Sequence, residues 1–391
     1  MNIFNDFPFY HDESYELVKV ALFQQGIDIS EVWTDQPWGF NFLLYWLGID
    51  TLVEGRLLVL GFAIVAVVAF WWLVKHKSSA AVAYLCCIGL VSSYKFIWLS
   101  TILMKEIPSL SLLLVSLALV AYRRNWASAI VFVGSLWIKQ SGLFLIPVWF
   151  MCRGKFRADG ILIIAGAIVS AVVSYPSTHL KAVGYSWGWD YSIIHLGDVL
   201  IHQNPLFIAF GLLSIAGCIW HKEYPPVVWF LISLIRFSLI TPVWEHYTPH
   251  LMIPLFWMIS ILLTKVPRLT RVFTIVLVAQ CILNIALYEP RFSIYHPVTQ
   301  IMEQNQGSSI ITDYPYLIHK YKMVTPPETA ILSLKRVNTY QLDTEFIDTI
   351  AMENKPDFMF FFRFPQLVGN YEGYQRYRFE SGGDFYIREA L

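Results

Sequence analysis

Nine runs of apolar residues constrain this chain more than any other feature of its sequence. A helix needs about 17–25 mostly apolar residues to cross a bilayer, and flanking Trp and Tyr residues extend shorter runs into the membrane interface. The chain is 56% hydrophobic and only 14% charged, whereas about 25% of the residues in a soluble domain are charged. The runs cover residues 57–74, 80–94, 107–120, 127–151, 160–175, 206–220, 227–240, 251–263 and 272–287.

Charge balance and cysteine usage exclude two other classes of protein. Lys and Arg together number 28, and so do Asp and Glu. No net field therefore attracts a polyanion, and no nucleic-acid partner is expected. None of the five cysteines lies in the long polar segments, so a disulfide framework is not expected. The sequence predicts a multi-pass membrane protein.

One of the runs decides the topology, because polar residues around Lys139 interrupt run 127–151. A single span would place the arginines at 123–124 on the opposite side of the membrane from the basic residues at 153–157. A tight hairpin of two short helices leaves both groups on the cytoplasmic side, together with the other basic turns, as the positive-inside rule requires. We therefore predict a hairpin with Lys139 at its outer tip, and about nine to ten spans in all.

The chain changes character at about residue 289, where its composition becomes that of a soluble domain. The pattern of apolar residues predicts strands at 308–312 and 358–362, with a helix at 344–353 between them. A further hairpin of strands is expected at 374–379 and 384–388. This order of elements indicates a small α/β domain.

The expected fold class is an all-α polytopic membrane domain with a small C-terminal α/β domain. Three units follow from the apolar runs and the predicted topology. Residues 1–56 are expected to form an extracytoplasmic loop with interfacial helices. Residues 57–288 would form the transmembrane domain, and residues 289–391 the extracytoplasmic α/β domain.

The first candidate for chemistry is the acidic pair Asp12 and Glu13. Apolar residues at helical spacing follow the pair, which predicts an amphipathic helix on the membrane surface. The pair is also typical of an ordinary helix start, where Asp caps the helix and Glu favours its positive end. Spacing alone favours the helix start over a catalytic pair.

Two further segments carry polar residues at the predicted outer side of the membrane. The turn at 33–39 contains Asp35, Gln36 and Pro37 among aromatic residues, and forms either an aromatic belt or the mouth of a pocket. Glu106 follows Lys105 at the outer end of a span. It is either an interfacial anchor or a carboxylate that binds an acceptor hydroxyl or a cation.

Basic residues near the same side are the most informative group. Arg236 lies within run 227–240, and an intramembrane arginine costs about 2.5–3.5 kcal/mol on insertion scales, so it marks a functional site by default. The structural alternative is that Arg236 pairs with a carbonyl or with Glu245. For Lys139 and for His246, which precedes Tyr247, the structural and functional interpretations stay equally open.

In order and spacing, these motifs resemble those of the integral-membrane glycosyltransferases of the GT-C fold. The resemblance is to the branch that contains protein O-mannosyltransferases and the aminoarabinose transferase of lipid A, and it covers nearly the whole chain. Family members usually carry a transmembrane helix before the acidic motif, and we expect this chain to lack that helix. The corresponding segments are Asp12-Glu13, Gly26 with the Gln36-Pro37 turn, Glu106-Ile107-Pro108, residues 137–142, and Glu245-His246-Tyr247 followed by Pro254.

The resemblance implies a function and a set of roles. A sugar would pass from a polyprenyl-phosphate donor to a hydroxyl acceptor, with inversion, at the outer face of the plasma (inner) membrane. Asp12 would be the general base, with Glu13 as its catalytic neighbour. Glu106 would lie near the acceptor or a metal, so a divalent cation is a possible cofactor. Lys139, Arg236, His246 and Tyr247 would bind the donor phosphate, and Asp35, Gln36 and Pro37 would line the pocket mouth.

The expected partners are the lipid-linked sugar donor, membrane lipids, and a hydroxyl of a glycan, lipid or protein. Two alternatives stay open at this point. The first is a transporter or flippase of lipid-linked sugars, a class that more often shows repeated halves, and no internal repeat is visible in this sequence. The second is a non-catalytic membrane assembly subunit.

Overall fold

The computed structural model describes residues 11–28, 32, 34, 36–154, 158–174, 197, 200–239, 245–286, 298–333, 336–337, 342–380 and 382–389. Of Asp12 it describes the backbone alone. Asp35 lies outside the described residues, as does any segment before the acidic motif.

Every predicted apolar run forms helix in the described part of the chain. Two helices precede the first run, α1 (His11–Gln24) and α2 (Gly39–Trp46). Helix α3 begins with a capping box in which Thr51 and Glu54 satisfy each other's backbone N–H groups. The membrane-domain helices are α3 (Leu52–Lys75), α4 (Ala80–Ser92), α5 (Tyr94–Ser100), α6 (Glu106–Ala121), α7 (Asn125–Ile138), α8 (Ile146–Arg153), α9 (Ala158–Ser174), α10 (Pro205–Trp220), α11 (Tyr224–Leu239), α12 (Pro249–Lys265) and α13 (Leu269–Ala286).

Length and hydropathy support only part of the predicted set of spans. Within the described residues, α3 and the stretch Glu245–Lys265 are long and apolar enough to cross a membrane. Helices α4 and α5 meet at a 72° bend and would make a third crossing if they form one broken span. Six further apolar helices are shorter: α6, α7, α9, α10, α11 and α13.

The predicted hairpin at Lys139 is confirmed. Helix α7 ends at Ile138, and a 3-10 helix (Gln140–Leu145) leads into α8, which returns along α7. The return is fixed by Trp149, whose indole N–H donates to Ser128 Oγ at 2.7 Å near the start of α7. Ser128 also exchanges hydrogen bonds with Ser116 of α6, so that small polar residues hold the helices together.

The predicted strands and helix of the C-terminal region are also confirmed. The elements are α14 (Val298–Gln304), β1 (Ile310–Thr312), α15 (Tyr316–Lys320), α16 (Thr344–Asn354), β2 (Phe358–Phe361), β3 (Tyr374–Arg378) and β4 (Asp384–Arg388). The sheet has the order β1-β2-β4-β3, with β1 parallel to β2 and the other two pairings antiparallel. Asp343 caps the crossover helix α16 by accepting a hydrogen bond from Phe346 N at 2.8 Å.

Helix α1 differs from the surface helix that its sequence predicts. Leu17 and Val20 belong to the core of the membrane domain, whereas Tyr15, Val18 and Leu22 belong to the core of the C-terminal domain. The apolar residues of α1 thus cover two faces, and each face packs on a different domain. Helix α1 is the layer that joins the two domains.

We expect Gly39→Ala to destabilise the protein, because α2 approaches the tip of the hairpin at this residue. A Cβ on Gly39 would lie 2.4 Å from the carbonyl oxygen of Trp137, and backbone cannot move aside as a side chain can. The expected loss is about 1–3 kcal/mol. Gly61→Ala is the matched control, since a Cβ there meets nothing within 4 Å and Ala raises helix stability by about 0.5–1 kcal/mol. Thermal unfolding in detergent measures both, and an unchanged melting temperature for Gly39→Ala would contradict the close approach.

Candidate active site

Three charged residues from three different elements meet in one buried cluster. Glu106 lies in the first turn of α6, Lys139 lies at the tip of the hairpin, and His246 lies in the 3-10 helix Glu245–Tyr247. One oxygen of Glu106, Oε1, forms an ion pair with Lys139 Nζ and lies 3.2 Å from His246 Nε2. All three side chains are buried. The structure therefore brings together three residues that the sequence singled out separately.

Local structure explains why Glu106 and Lys139 meet. A carboxylate in the first turn of a helix is favoured by the positive end of the helix dipole. Ser109, one turn further along α6, donates a hydrogen bond to the carbonyl oxygen of Ser135 at 3.2 Å, and its hydroxyl lies 3.5 Å from the carbonyl oxygen of Lys139. These contacts join the start of α6 to the tip of the hairpin and hold Lys139 opposite Glu106.

Aromatic rings frame the cluster. Lys139 Nζ lies 5.3 Å from the centre of the Tyr247 ring, and Arg236 Cζ lies 5.5 Å from the same ring. Arg236 also lies over Phe144, at 5.0 Å, and Phe237 stacks on Tyr247 at 5.1 Å. Cations over ring faces are stabilised by the ring quadrupole. Tyr247 thus links the hairpin tip to Arg236 of α11.

Two further charged groups contribute to the surroundings of the cluster. Glu245 forms an ion pair with Lys95 of α5, and Arg236 lies over the rings of Phe144 and Tyr247. Two permanent cations and one histidine thus surround Glu106 and Tyr247 in a buried site. In such surroundings cations can stabilise an anion strongly, because little water screens them.

Glu13 lies in a second buried ion pair. Arg56 Nε and one terminal nitrogen donate to its two oxygens at 2.9 and 2.8 Å, and Leu103 N donates at 2.6 Å. Both charged side chains are 0% exposed. Glu13 therefore fastens the start of α1 to α3 and to the segment before α6. Asp12 precedes it in the first turn of α1.

A third group of polar residues lies one turn further along α1. Glu16 accepts from Asn41 Nδ2 at 2.6 Å and lies 3.3 Å from Lys105 Nζ. Burial alone would raise the pKa of Glu16, but Lys105, Lys19 and the hydrogen bond from Asn41 outweigh it, so the pKa is lowered. Glu16 is therefore a carboxylate at neutral pH and ties α1 to α2 and α6.

The predicted pocket mouth lies beside the same helices. Pro37 is buried, and its carbonyl oxygen accepts from Lys105 Nζ at 3.1 Å. Gln36 is half-buried in a turn closed by Thr34, whose hydroxyl donates to Gln36 O at 3.0 Å. The close approach of Gly39 to Trp137 brings this turn to the hairpin that carries Lys139.

Sequence reasoning missed several residues of these networks. Lys95 ends an apolar run and Arg56 precedes one, and the rule that intramembrane charges are functional or paired could have identified both. Asn41 and Glu16 carried no such signal, because their role is visible only once α1 and α2 are packed. Within the described ranges, no group of three or more His, Cys, Asp or Glu residues could hold a metal ion.

Comparison with known proteins identifies solved structures that share the fold of this chain. No family model matches the chain, and no curated protein matches it either. Eight chains of solved structures do match it. The structure of ArnT from Cupriavidus metallidurans bound to undecaprenyl phosphate has a TM-score of 0.63 at 11% identity, covering 97% of this chain and 94% of that one. The apo state of the same protein has a TM-score of 0.60, with the same identity and coverage. The fold is GT-C-like.

This likeness confirms the predicted fold class, a helical membrane domain followed by a small C-terminal α/β domain. It extends over nearly the whole of both chains. At 11% identity it concerns the fold alone. The roles of individual residues therefore rest on the geometry of the clusters described above.

We expect Arg56→Met to destabilise the protein by about 3–5 kcal/mol, because it leaves the buried Glu13 carboxylate without its cation. The double variant Glu13→Leu with Arg56→Met should recover part of this loss, since a buried ion pair replaced by apolar groups is often neutral, while the N–H of Leu103 loses its acceptor. Lys77→Ala is the control. It breaks an exposed pair with Glu223 at 2.6 Å and should cost at most about 1 kcal/mol. Unfolding in detergent measures all three, and equal effects of Arg56→Met and Lys77→Ala would contradict the assignment.

Proposed function

We propose that the protein is an inverting glycosyltransferase that moves a sugar from a polyprenyl-phosphate donor to a hydroxyl acceptor. The observation that carries the proposal is the buried cluster of Lys139, His246 and Arg236 around Glu106 and Tyr247. A cluster of this kind suits a phosphate whose negative charge grows during the reaction. The ArnT structure of the same fold, which contains undecaprenyl phosphate, supports a lipid phosphate as the ligand.

The proposed chemistry is a direct displacement. The acceptor oxygen attacks the anomeric carbon as the bond from that carbon to the phosphate oxygen breaks. Attack on the face opposite the leaving group inverts the anomeric centre. The electron pair leaves with the phosphate, and the hydroxyl proton passes to the carboxylate of Asp12. Lys139, Arg236 and His246 stabilise the departing polyprenyl phosphate, while Glu13 holds the start of α1 through Arg56.

We place the site at the extracytoplasmic face of the plasma (inner) membrane. Glu106 begins α6, and the basic pair Arg123 and Arg124 follows its end. At 1.5 Å per residue the two ends of this helix lie about 24 Å apart. The positive-inside rule places the arginine end in the cytoplasm, so the Glu106 end lies outside. On this proposal α1, α2 and the α/β domain of residues 289–391 cover the site from the extracytoplasmic side.

We expect Asp12→Asn to abolish sugar transfer, lowering turnover at least about 100-fold, because an amide cannot accept the proton. Binding of the donor lipid and expression should change little, since the amide keeps the shape of the side chain in the first turn of α1. Asp28→Asn, an exposed position after the same helix, is the control and should retain turnover. The assay uses full-length protein in liposomes with a short-chain polyprenyl-phosphate sugar and a panel of hydroxyl acceptors. Near-normal turnover by Asp12→Asn would restore the role of Asp12 as a helix cap.

We expect Arg236→Ala to lower the rate of transfer more than it weakens donor binding, because the phosphate gains charge only towards the transition state. The expected loss of turnover is about 100-fold. Arg236→Lys should recover part of it, since an ammonium keeps the charge but loses the planar fork. Arg268→Ala removes an exposed arginine between α12 and α13 and is the control.

The same assay separates the proposal from its competitors. A flippase would move labelled lipid-linked sugar across the bilayer without transferring sugar to any acceptor. A soluble-donor enzyme would use a nucleotide sugar supplied from the cytoplasmic side. Either result with the wild-type protein would overturn the proposed function.

A further inference from the structure

The carboxylate of Glu106 lies where the proposed phosphate must bind. Its Oε1 contacts both Lys139 Nζ and His246 Nε2, and the Glu106 side chain is 2% exposed. A phosphate oxygen that contacts these two nitrogens would lie within a few ångströms of that carboxylate. At such a distance two anions in a poorly solvated site repel each other strongly. The carboxylate and the phosphate are therefore alternative partners of the same two cations.

From this geometry we infer that Glu106 is an internal competitor of the phosphate, and that its return to Lys139 and His246 drives release of the product. The inference rests on the proposed function. Before the donor binds, Glu106 holds the two cations in place. The phosphate takes over Lys139 and His246 when the donor binds, and Glu106 recovers them when polyprenyl phosphate leaves. Glu106 is a positioning residue, because it acts through Lys139 and His246.

The two cations are arranged so that this exchange needs little movement. Lys139 Nζ lies 5.3 Å from the centre of the Tyr247 ring, and the His246 ring contacts the same ring at 4.5 Å. Neither contact involves the carboxylate, so replacing the carboxylate by phosphate does not require either contact to break. Tyr247 thereby keeps Lys139 and His246 at the site while their anion changes.

The charges of donor and product explain why a competitor is needed. The phosphate of the donor is a diester with one negative charge. The product is a monoester with about 1.5 to 2 negative charges near neutral pH, so it binds the same cations more tightly than the donor does. Without a competing carboxylate, the cations that stabilise the leaving group would also retain it.

The test is the affinity of purified full-length protein for short-chain polyprenyl phosphate, measured at one pH for all variants. Glu106→Gln should lower the Kd about tenfold, because the neutral amide competes poorly for Lys139. In the transfer assay the same variant should show stronger product inhibition and a lower kcat, with a KM for the donor that falls or stays the same. Glu16→Gln, which removes a buried carboxylate that pairs with Lys105, is the matched control and should leave the Kd within about twofold.

A double-mutant cycle locates the effect. In the Lys139→Ala background, Glu106→Gln should change the Kd by less than about twofold, because the permanent cation for which the two anions compete is gone and only His246 remains. Glu106→Asp provides a second variant if Glu106→Gln does not fold. Its carboxylate is one methylene shorter, reaches Lys139 less well, and should lower the Kd by about threefold.

The outcomes separate this inference from the function on which it rests. Suppose that the wild-type protein transfers sugar. Unchanged or weaker binding of polyprenyl phosphate by folded Glu106→Gln then overturns the inference. The same result with Glu106→Asp overturns it if Glu106→Gln does not fold. An equal gain in the Lys139→Ala background also overturns it. Failure of the wild-type protein both to bind polyprenyl phosphate and to transfer sugar overturns the proposed function first.

Discussion

The buried ion pair between Glu13 and Arg56 is the interaction on which the arrangement of the site depends. Two charges that are 0% exposed would be very costly if either lost its partner, so the pair admits one position for the start of α1. That position brings Leu103 N onto the same carboxylate, three residues before Glu106 along the chain. The helix that carries Asp12 in its first turn and the helix that begins with Glu106 are therefore located by a single carboxylate, and the geometry between them follows from that constraint.

Helix α1 also explains how the C-terminal α/β domain is joined to the membrane domain. Tyr15 OH donates to the carbonyl oxygen of Leu332 at 2.5 Å and accepts from an Arg363 nitrogen at 3.3 Å. Two residues further, Leu17 packs in the membrane core. The C-terminal sheet thus packs on one face of α1, and the membrane domain, to which Glu13 fastens the helix, packs on the opposite face. A shift of the α/β domain would be transmitted to the first turn of α1, because a short, fully packed helix moves as a rigid unit.

The elements of this fold could be predicted from the sequence far better than the pairing of its charges. Apolar runs, the break at Lys139 and the turn signals of the tail are local patterns, and each is helix, hairpin or strand in the structure. Burial of α1 on both faces and the partners of Glu13, Lys95 and Glu245 depend on packing between segments far apart in the chain. No local pattern encodes such contacts. The cluster of Glu106, Lys139 and His246 was accessible only because each of these residues lies within or near the end of an apolar run, where a charge needs either a function or a partner.

The two buried carboxylates of Glu13 and Glu106 thus differ in how their partners are held. Glu13 receives a bidentate arginine and a backbone N–H, so both of its oxygens are occupied by groups that are themselves fixed. Such a carboxylate stabilises one geometry and has little capacity to exchange partners. Glu106 meets Lys139 and His246 through one oxygen, and both cations also contact a ring that holds them independently. Replacing one anion by another beside Lys139 and His246 costs little free energy, because both side chains keep their contacts with the Tyr247 ring throughout. The first arrangement suits a permanent joint, and the second suits a site where a phosphate binds and leaves in each cycle.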